Sequence, residues 1–201
     1  MELRGVEIFP QALDRAAQEA MLHALSAVLA EAPPFHPVTA RGQQMSVRMT
    51  SAGTFGWVSD RGGYRYERAH PVTGRPWPAI PDPVLALWRD FAGPGARAPE
   101  SCLVNFYGEG ARMGLHQDRD EADFTQPVVS LSLGDDALFR VGGPVRGGPT
   151  GSVWLRSGDV AVLRGAARLA WHGIDRVIFG AAPLLPAGGR INLTMRVVAP
   201  G

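Results

Sequence analysis

The sequence contains no lysine: all 20 of its basic residues are arginine. Neither a Walker-type phosphate loop nor a pyridoxal Schiff base can be built, because each needs the lysine amine. Cysteine is nearly absent as well. Cys102 alone cannot close an internal disulfide, which fits a reducing compartment, and it reads as a small buried apolar residue. No apolar run approaches the ~18 residues of a membrane span. The opening residues MELRGVEIFP carry neither the apolar stretch nor the cleavage site of a signal peptide. A cytoplasmic chain without membrane contact is therefore expected. Excess charge is also missing. With a net charge of +1, any case for nucleic acid must rest on local placement of arginine.

The 201 residues are 45% hydrophobic, enough for one globular domain with a sizeable core. In residues 10–31, Leu13, Ala17, Met21, Leu25 and Val28 recur at helical spacing until Pro33-Pro34 stops the pattern. A second helix is expected from Asp82 as N-cap, with Pro83 at the first helical position, to Gly93. Residues 35–81 between them are rich in Gly and Pro, with strand-like pieces at Gln44–Met49 and Tyr64–Glu67. From Ser101 onward, short alternating runs separated by turn signals replace helical periodicity. They are Ser101–Tyr107, Pro127–Leu133, Ala137–Val141, Ser152–Leu155, Asp159–Leu163 and Arg190–Val198. Regularly spaced strands without helices predict a mainly β (α+β) chain with a sandwich or jelly-roll core of ~8 strands.

Within that region, His116-Gln117-Asp118 sets an imidazole and a carboxylate two residues apart, and His172 follows in Ala170-Trp171-His172-Gly173. On a strand, positions i and i+2 face the same way, so both could reach one ion. Two histidines and a carboxylate leave open positions suited to non-haem Fe(II), although the same set could serve a zinc hydrolase. The last strand carries more information. Arg190, Asn192, Thr194 and Arg196 share one parity, and Ile191, Leu193, Met195 and Val197 share the other. Leu103, Asn105 and Tyr107 similarly oppose Cys102, Val104 and Phe106. Such faces either turn to water or line a polar cavity whose arginines would suit a dicarboxylate. A zinc hydrolase gives the arginine face no role, and a binding module without catalysis would need no iron.

These residues together resemble the AlkB family of 2-oxoglutarate/Fe(II) dioxygenases, in its bacterial alkylated-DNA repair branch. The resemblance runs over residues 35–198. It is carried by Asn105-x-Tyr107, Leu115-His116-Gln117-Asp118-x-Asp120-Glu121, Val129 through Gly134, Trp171-His172-Gly173 and Arg190-Ile191-Asn192-Leu193-Thr194-Met195-Arg196. Upstream blocks at Gly56-Trp57, Gly63-Tyr64-Arg65-Tyr66 and Pro76-Trp77-Pro78 match too. The resemblance implies a double-stranded β-helix (jelly-roll) core at 82–201, flanked by helices, with an N-terminal helical segment at 1–34 and a nucleotide-recognition lid at 35–81. It implies that His116, Asp118 and His172 hold Fe(II). Arg190 with Tyr107 and Asn105 would hold the distal carboxylate of 2-oxoglutarate, and Arg196 and Asn192 its metal-chelating end. Trp57, Tyr64 and Tyr66 would contact the substrate, and Asp120 and Arg146 its base or backbone.

The implied reaction uses O2 to remove an alkyl group from 1-methyladenine- or 3-methylcytosine-type bases. It is coupled to conversion of 2-oxoglutarate to succinate and CO2 and releases an aldehyde. Single-stranded DNA is the expected partner, since a base inside a duplex must first be flipped out. RNA, a protein or a small molecule are the alternatives, and a monomer with no obligate protein partner is expected. Arg41, Arg48, Arg61, Arg65, Arg68 and Arg75 outnumber Asp60 and Glu67 in residues 41–75, a local excess suited to phosphates. An acid at Asp120 would suit the positive charge of a ring-alkylated base. His23, His36 and His70 are read as ordinary surface or partly buried residues.

Overall fold

The computed structural model describes residues 1–201. In chain order the elements are β1 (Glu2–Leu3), β2 (Val6–Phe9), α1 (Arg15–Glu31), β3 (Arg48–Gly53), β4 (Gly56–Asp60), β5 (Gly63–Glu67) and α2 (Asp82–Phe91). They continue with β6 (Ser101–Tyr107), β7 (Met113–His116), β8 (Val128–Gly134), β9 (Ala137–Val141), β10 (Gly151–Leu155), β11 (Val160–Leu163), β12 (His172–Val177) and β13 (Arg190–Arg196). A seven-stranded antiparallel sheet runs β1-β2-β11-β8-β13-β6-β3, and a four-stranded one runs β10-β9-β12-β7. Their inner faces meet through Leu103, Val128, Ala161 and Leu163 on one side and Phe139, Val141, Leu155 and Ile174 on the other. This is the jelly roll. The hairpin β4–β5 pairs only with itself.

The outer face of the large sheet is closed by the two helices. Met21, Leu25 and Val28 of α1 and Val84, Leu87 and Trp88 of α2 pack on Cys102, Val104, Leu193 and Met195. Each fully buried aliphatic side chain there stabilises the fold by about 1.5–3 kcal/mol. The alternation along β13 follows directly: its odd residues feed this apolar layer, so its even residues must face the space between the sheets.

Local details differ from the sequence reading in physical ways. Helix α1 starts at Arg15, with the Asp14 side chain accepting a hydrogen bond from Ala17 N at 2.8 Å. Its buried face takes Gln18 rather than Ala17, because the Gln18 amide donates to Leu13 O and accepts from the Ser157 hydroxyl. Asp82 is not the N-cap of α2. Pro81 occupies that position without a side-chain cap, and Asp82 supplies an acidic residue to the first turn instead. The chain before α1 forms two strands that widen the large sheet. The piece expected at Gln44–Met49 is displaced to Arg48–Gly53, where it becomes the edge strand against β6. No helix is long and apolar enough to cross a membrane.

Candidate active site

Strands β7 and β12 pair antiparallel with His116 directly opposite His172. That register brings two imidazoles to the mouth of the barrel, with ring centroids 4.5 Å apart. Gly173 makes the pairing possible, since a Cβ there would lie 2.5 Å from Met113 O and 2.8 Å from Gly114 O. His116 is the last residue of its strand, and Asp118 lies beyond it, outside any strand. The two-residue alternation is therefore not what aligns the pair. Asp118 is turned inward by Arg196, whose Nη2 donates to Asp118 Oδ2 at 2.9 Å, and by Arg168, which donates to the Asp118 main-chain O at 2.7 Å.

The three side chains converge. Their ligand atoms lie within 4.8 Å of one another, and Asp118 is 3.8 Å from Nε2 of each histidine. One ion with bonds of about 2 Å fits among them. Each histidine also places Nδ1 2.9 Å from a backbone carbonyl, Gly114 O for His116 and Ala170 O for His172. A carbonyl only accepts, so Nδ1 carries the hydrogen and Nε2 is left as a metal donor, the usual outer support of a ligating histidine. Burial and then His116 push His172 down to about 4, which keeps it neutral and ligand-competent. Burial alone would raise the Asp118 carboxyl. Arg196, then His172 and His116, outweigh it and hold the carboxyl well below the usual carboxylate range.

Beside this triad the even face of β13 meets β6 in register, Arg190 opposite Tyr107 and Asn192 opposite Asn105. The Arg190 guanidinium lies over the Tyr107 ring, 5.2 Å from its centroid, and donates to Ser132 Oγ at 2.9 Å. Arg190 is only 2% exposed and forms an ion pair with no carboxylate; its Nε and Nη1 have no hydrogen-bond partner. Burial accordingly pulls its pKa below the ordinary guanidinium value. Asn105 Oδ1 and Arg196 Nη1 are also buried without partners. Buried polar groups in native folds are ordinarily satisfied, so the idle guanidinium donors of Arg190 and Arg196 beside a metal triad are the signature of a site built for an anionic ligand. Fe(II) and a dicarboxylate thus fit the residues present.

A cavity of about 490 Å³ joins all of these groups, within the range of small-ligand sites. Every site residue expected from the sequence lines it: His116, Asp118, His172, Asn105, Tyr107, Arg190, Asn192, Arg196, Trp57, Tyr64, Tyr66, Asp120 and Arg146. Trp57 and Tyr64 face each other across the hairpin, stacked with centroids 5.4 Å apart. Trp57 Nε1 donates to Asp120 Oδ2 at 2.9 Å. Tyr66 differs from its neighbours, because its hydroxyl is spent on Glu121 Oε1 at 2.6 Å. Arg146 lies over the Trp171 ring at 5.3 Å. Of the arginines in residues 41–75, Arg65 is taken up by ion pairs with Asp60 and Glu67.

Several contributors carried no role in the sequence reading. Glu121 and Arg168 form a buried ion pair at 3.0 Å under Asp118. Gln117, between the two ligands, donates to Pro144 O and Leu169 O and so ties down the loop that carries Arg146. Glu121 and Gln117 lie within the Leu115–Glu121 motif, whereas Arg168 carries no signal in the sequence. His70 is fully buried: its Nδ1 accepts from Val72 and Thr73 N–H, and its Nε2 lies against Pro33 O.

The model of the 2OG-Fe(II) oxygenase superfamily matches residues 5–196. The chain is 54% identical over 192 residues to an alpha-ketoglutarate-dependent dioxygenase AlkB homolog of Caulobacter vibrioides, covering 96% of this chain and 87% of that one. A solved structure of OsALKBH1 superposes with a TM-score of 0.80 at 30% identity, covering 98% of this chain and 100% of the other. Two partial relatives are a DNA N(6)-methyladenine demethylase, ALKBH1A, of Arabidopsis thaliana (45% identity; 41% of this chain, 24% of that one) and a tRNA demethylase, abh1, of Schizosaccharomyces pombe (32%; 50% and 37%).

Proposed function

The chain belongs to the 2OG-Fe(II) oxygenase superfamily, among its AlkB dioxygenases, and on that footing we propose that it oxidatively removes N-alkyl groups from bases of single-stranded DNA. It is an Fe(II)- and 2-oxoglutarate-dependent dioxygenase whose metal triad is His116, Asp118 and His172. The observation that carries the reading is Arg190: a guanidinium buried to 2% exposure with no anionic partner, facing the cavity next to that triad. Its fork receives the distal carboxylate of 2-oxoglutarate, with Tyr107 beneath and Asn105 alongside. Arg196 and Asn192 support the metal-chelating end.

With Fe(II), 2-oxoglutarate and O2 bound, the centre supplies oxidising chemistry that hydroxylates the N-alkyl carbon, with succinate, CO2 and an aldehyde as the other products. The protein's own work is placement. Arg196 keeps Asp118 ionised, the backbone carbonyls keep both histidines presenting Nε2, and the apolar walls Leu103, Phe139, Leu163 and Ile174 exclude water. The stacked pair Trp57 and Tyr64 offers ring surface at the cavity for a base taken out of its stack, and Asp120, bonded to Trp57 Nε1, stands beside it to meet the base's positive charge. The enzyme acts as a cytoplasmic monomer.

Incubation with Fe(II), 2-oxoglutarate, ascorbate and an oligonucleotide bearing one 1-methyladenine tests this. Loss of the methyl mass together with succinate formation, both abolished by His116→Ala, supports the proposal. The matched RNA oligonucleotide decides the nucleic acid, because the partial relatives bear both DNA and tRNA names. Succinate without demethylation of either strand would overturn the base-dealkylation reading.

A further inference from the structure

Under the metal-binding carboxylate lies a buried cluster in which two acids meet two guanidinium groups. Asp118, Glu121, Arg168 and Arg196 are all 7% exposed or less. Burying any one charge alone would cost several kcal/mol, so each must be held in place by the others. Glu121 is the hub. Its Oε2 accepts from Arg168 Nη2 at 3.0 Å, and its Oε1 lies 3.3 Å from Arg196 Nε. The same Oε1 accepts the Tyr66 hydroxyl at 2.6 Å. Arg196 in turn donates to Asp118 Oδ2.

Tyr66 belongs to β5, in a hairpin that shares no ladder with either large sheet. The hairpin's other polar link to this region, Trp57 to Asp120, is exposed. The Tyr66 bond is the more sheltered one, part-buried on the buried Glu121. A continuous line of four side chains therefore leads from the hairpin to the metal ligand: Tyr66, Glu121, Arg196, Asp118.

We propose that Glu121 is a positioning residue that joins the lid hairpin, through Tyr66, to Asp118, through Arg196, so that metal occupancy and seating of the hairpin reinforce each other. The physical reason is geometric. Fixing Asp118 on an ion fixes Arg196, which fixes the Oε1 to which Tyr66 is bonded; releasing Asp118 lets the whole line relax. By linkage the effect is reciprocal, and a seated hairpin must tighten metal binding by the same factor. The inference rests on the metal site of the reading above and not on the identity of the substrate.

The test uses the full chain with Mn(II) alone. In wild type, Mn(II) slows amide hydrogen exchange in residues 56–67 as well as in β7 and β12. In Tyr66→Phe, which keeps the ring and removes only the hydroxyl, β7 and β12 still respond but the hairpin does not. Its Mn(II) dissociation constant rises about tenfold, the lower end of what loss of an outer-shell partner costs. Glu121→Gln, which keeps an acceptor for Tyr66 but gives up the charge facing Arg196, also loses the hairpin response. A purely structural Glu121 would stabilise the fold equally with and without metal, so it is the metal dependence that discriminates. A hairpin indifferent to Mn(II) in wild type, or one that responds equally in Tyr66→Phe, overturns the proposal. If no alkylated base is repaired but the Mn(II) effect follows this pattern, the substrate reading falls and the linkage stands.

Discussion

Replacing Arg190 by methionine should make the protein without 2-oxoglutarate more stable while destroying its response to 2-oxoglutarate. Arg190 brings a desolvated charge with no ion-pair partner and two nitrogens without acceptors. Each unsatisfied buried donor costs about 1–3 kcal/mol. Against that stand one hydrogen bond to Ser132 and the stacking over Tyr107, each worth about 1 kcal/mol. Water entering the cavity offsets part of the penalty, which leaves a net gain of about 1 kcal/mol on mutation, or about 2–4 °C in a chain of this size. The wild type gains far more from its ligand. At a hundredfold excess over the dissociation constant, 2-oxoglutarate adds about 2.7 kcal/mol. Thermal unfolding of the metal-loaded wild type and Arg190→Met, each with and without 2-oxoglutarate, therefore gives curves that cross. The variant melts higher alone and lower in the presence of ligand. A variant that is destabilised by more than about 1 kcal/mol without ligand, or that keeps the ligand-induced shift, would refute the assignment of Arg190 as a pre-paid anion site.

Arg168→Met should behave oppositely, because all three of the bonds its guanidinium makes are lost: Glu121 Oε2 and two carbonyls are left without their donor, at a cost of about 3–5 kcal/mol, read from urea midpoints. The apoprotein should weaken in acid. Burial and His116 depress His172 from 6.5 to about 4, so the unfolded chain binds the proton more readily; stability is full above about 6.5 and falls as pH drops toward 4, which urea unfolding across pH 7.5–4 would show. Burial raises the Cys102 thiol to about 12, so iodoacetamide should leave the native protein unmodified and label it stoichiometrically in denaturant. Trp57→Ala should raise the KM for the oligonucleotide roughly 5- to 150-fold, the worth of about 1–3 kcal/mol of stacking, while 2-oxoglutarate binding stays intact in calorimetry.

The parts of this architecture that were legible in the sequence are those where one strand does two jobs. β6 falls on the expected residues and β13 starts at the expected Arg190, because strict alternation between an apolar layer and a polar cavity is visible in one dimension; β9 also falls as expected, since it alternates between the inter-sheet core and a half-buried outer side. β7 and β12 were not visible. Met-Gly-Leu-His is four residues with a glycine, and His-Gly-Ile-Asp-Arg-Val alternates only after Gly173 is understood as room for the neighbouring backbone. The β1–β2 pair was hidden for another reason: its strands are two and four residues long and gain meaning only from the partner β11, some 150 positions away.

His116, Asp118 and His172 converge as the sequence suggested, but for a different reason. His116 and Asp118 were paired by the two-residue period of a strand, yet the strand ends at His116. The carboxylate faces the histidines because Arg196, 78 positions on, and Arg168, 50 positions on, hold its side chain and its carbonyl. Long-range charge pairing of this kind leaves no periodic trace, and a charged residue read alone defaults to a solvated surface. The same blindness covers Glu121 and the Tyr66 hydroxyl. An acid next to a metal motif and a tyrosine 55 positions before it show no sign of pairing in one dimension, yet the structure bonds them to each other at a part-buried contact. In this fold His116, His172, Arg190 and Asn192 lie on strands, and along β13 parity leaves a trace in the sequence. Asp118, Glu121 and Arg168 lie in loops, and only the three-dimensional meeting of opposite charges in a dry place reveals how they are held.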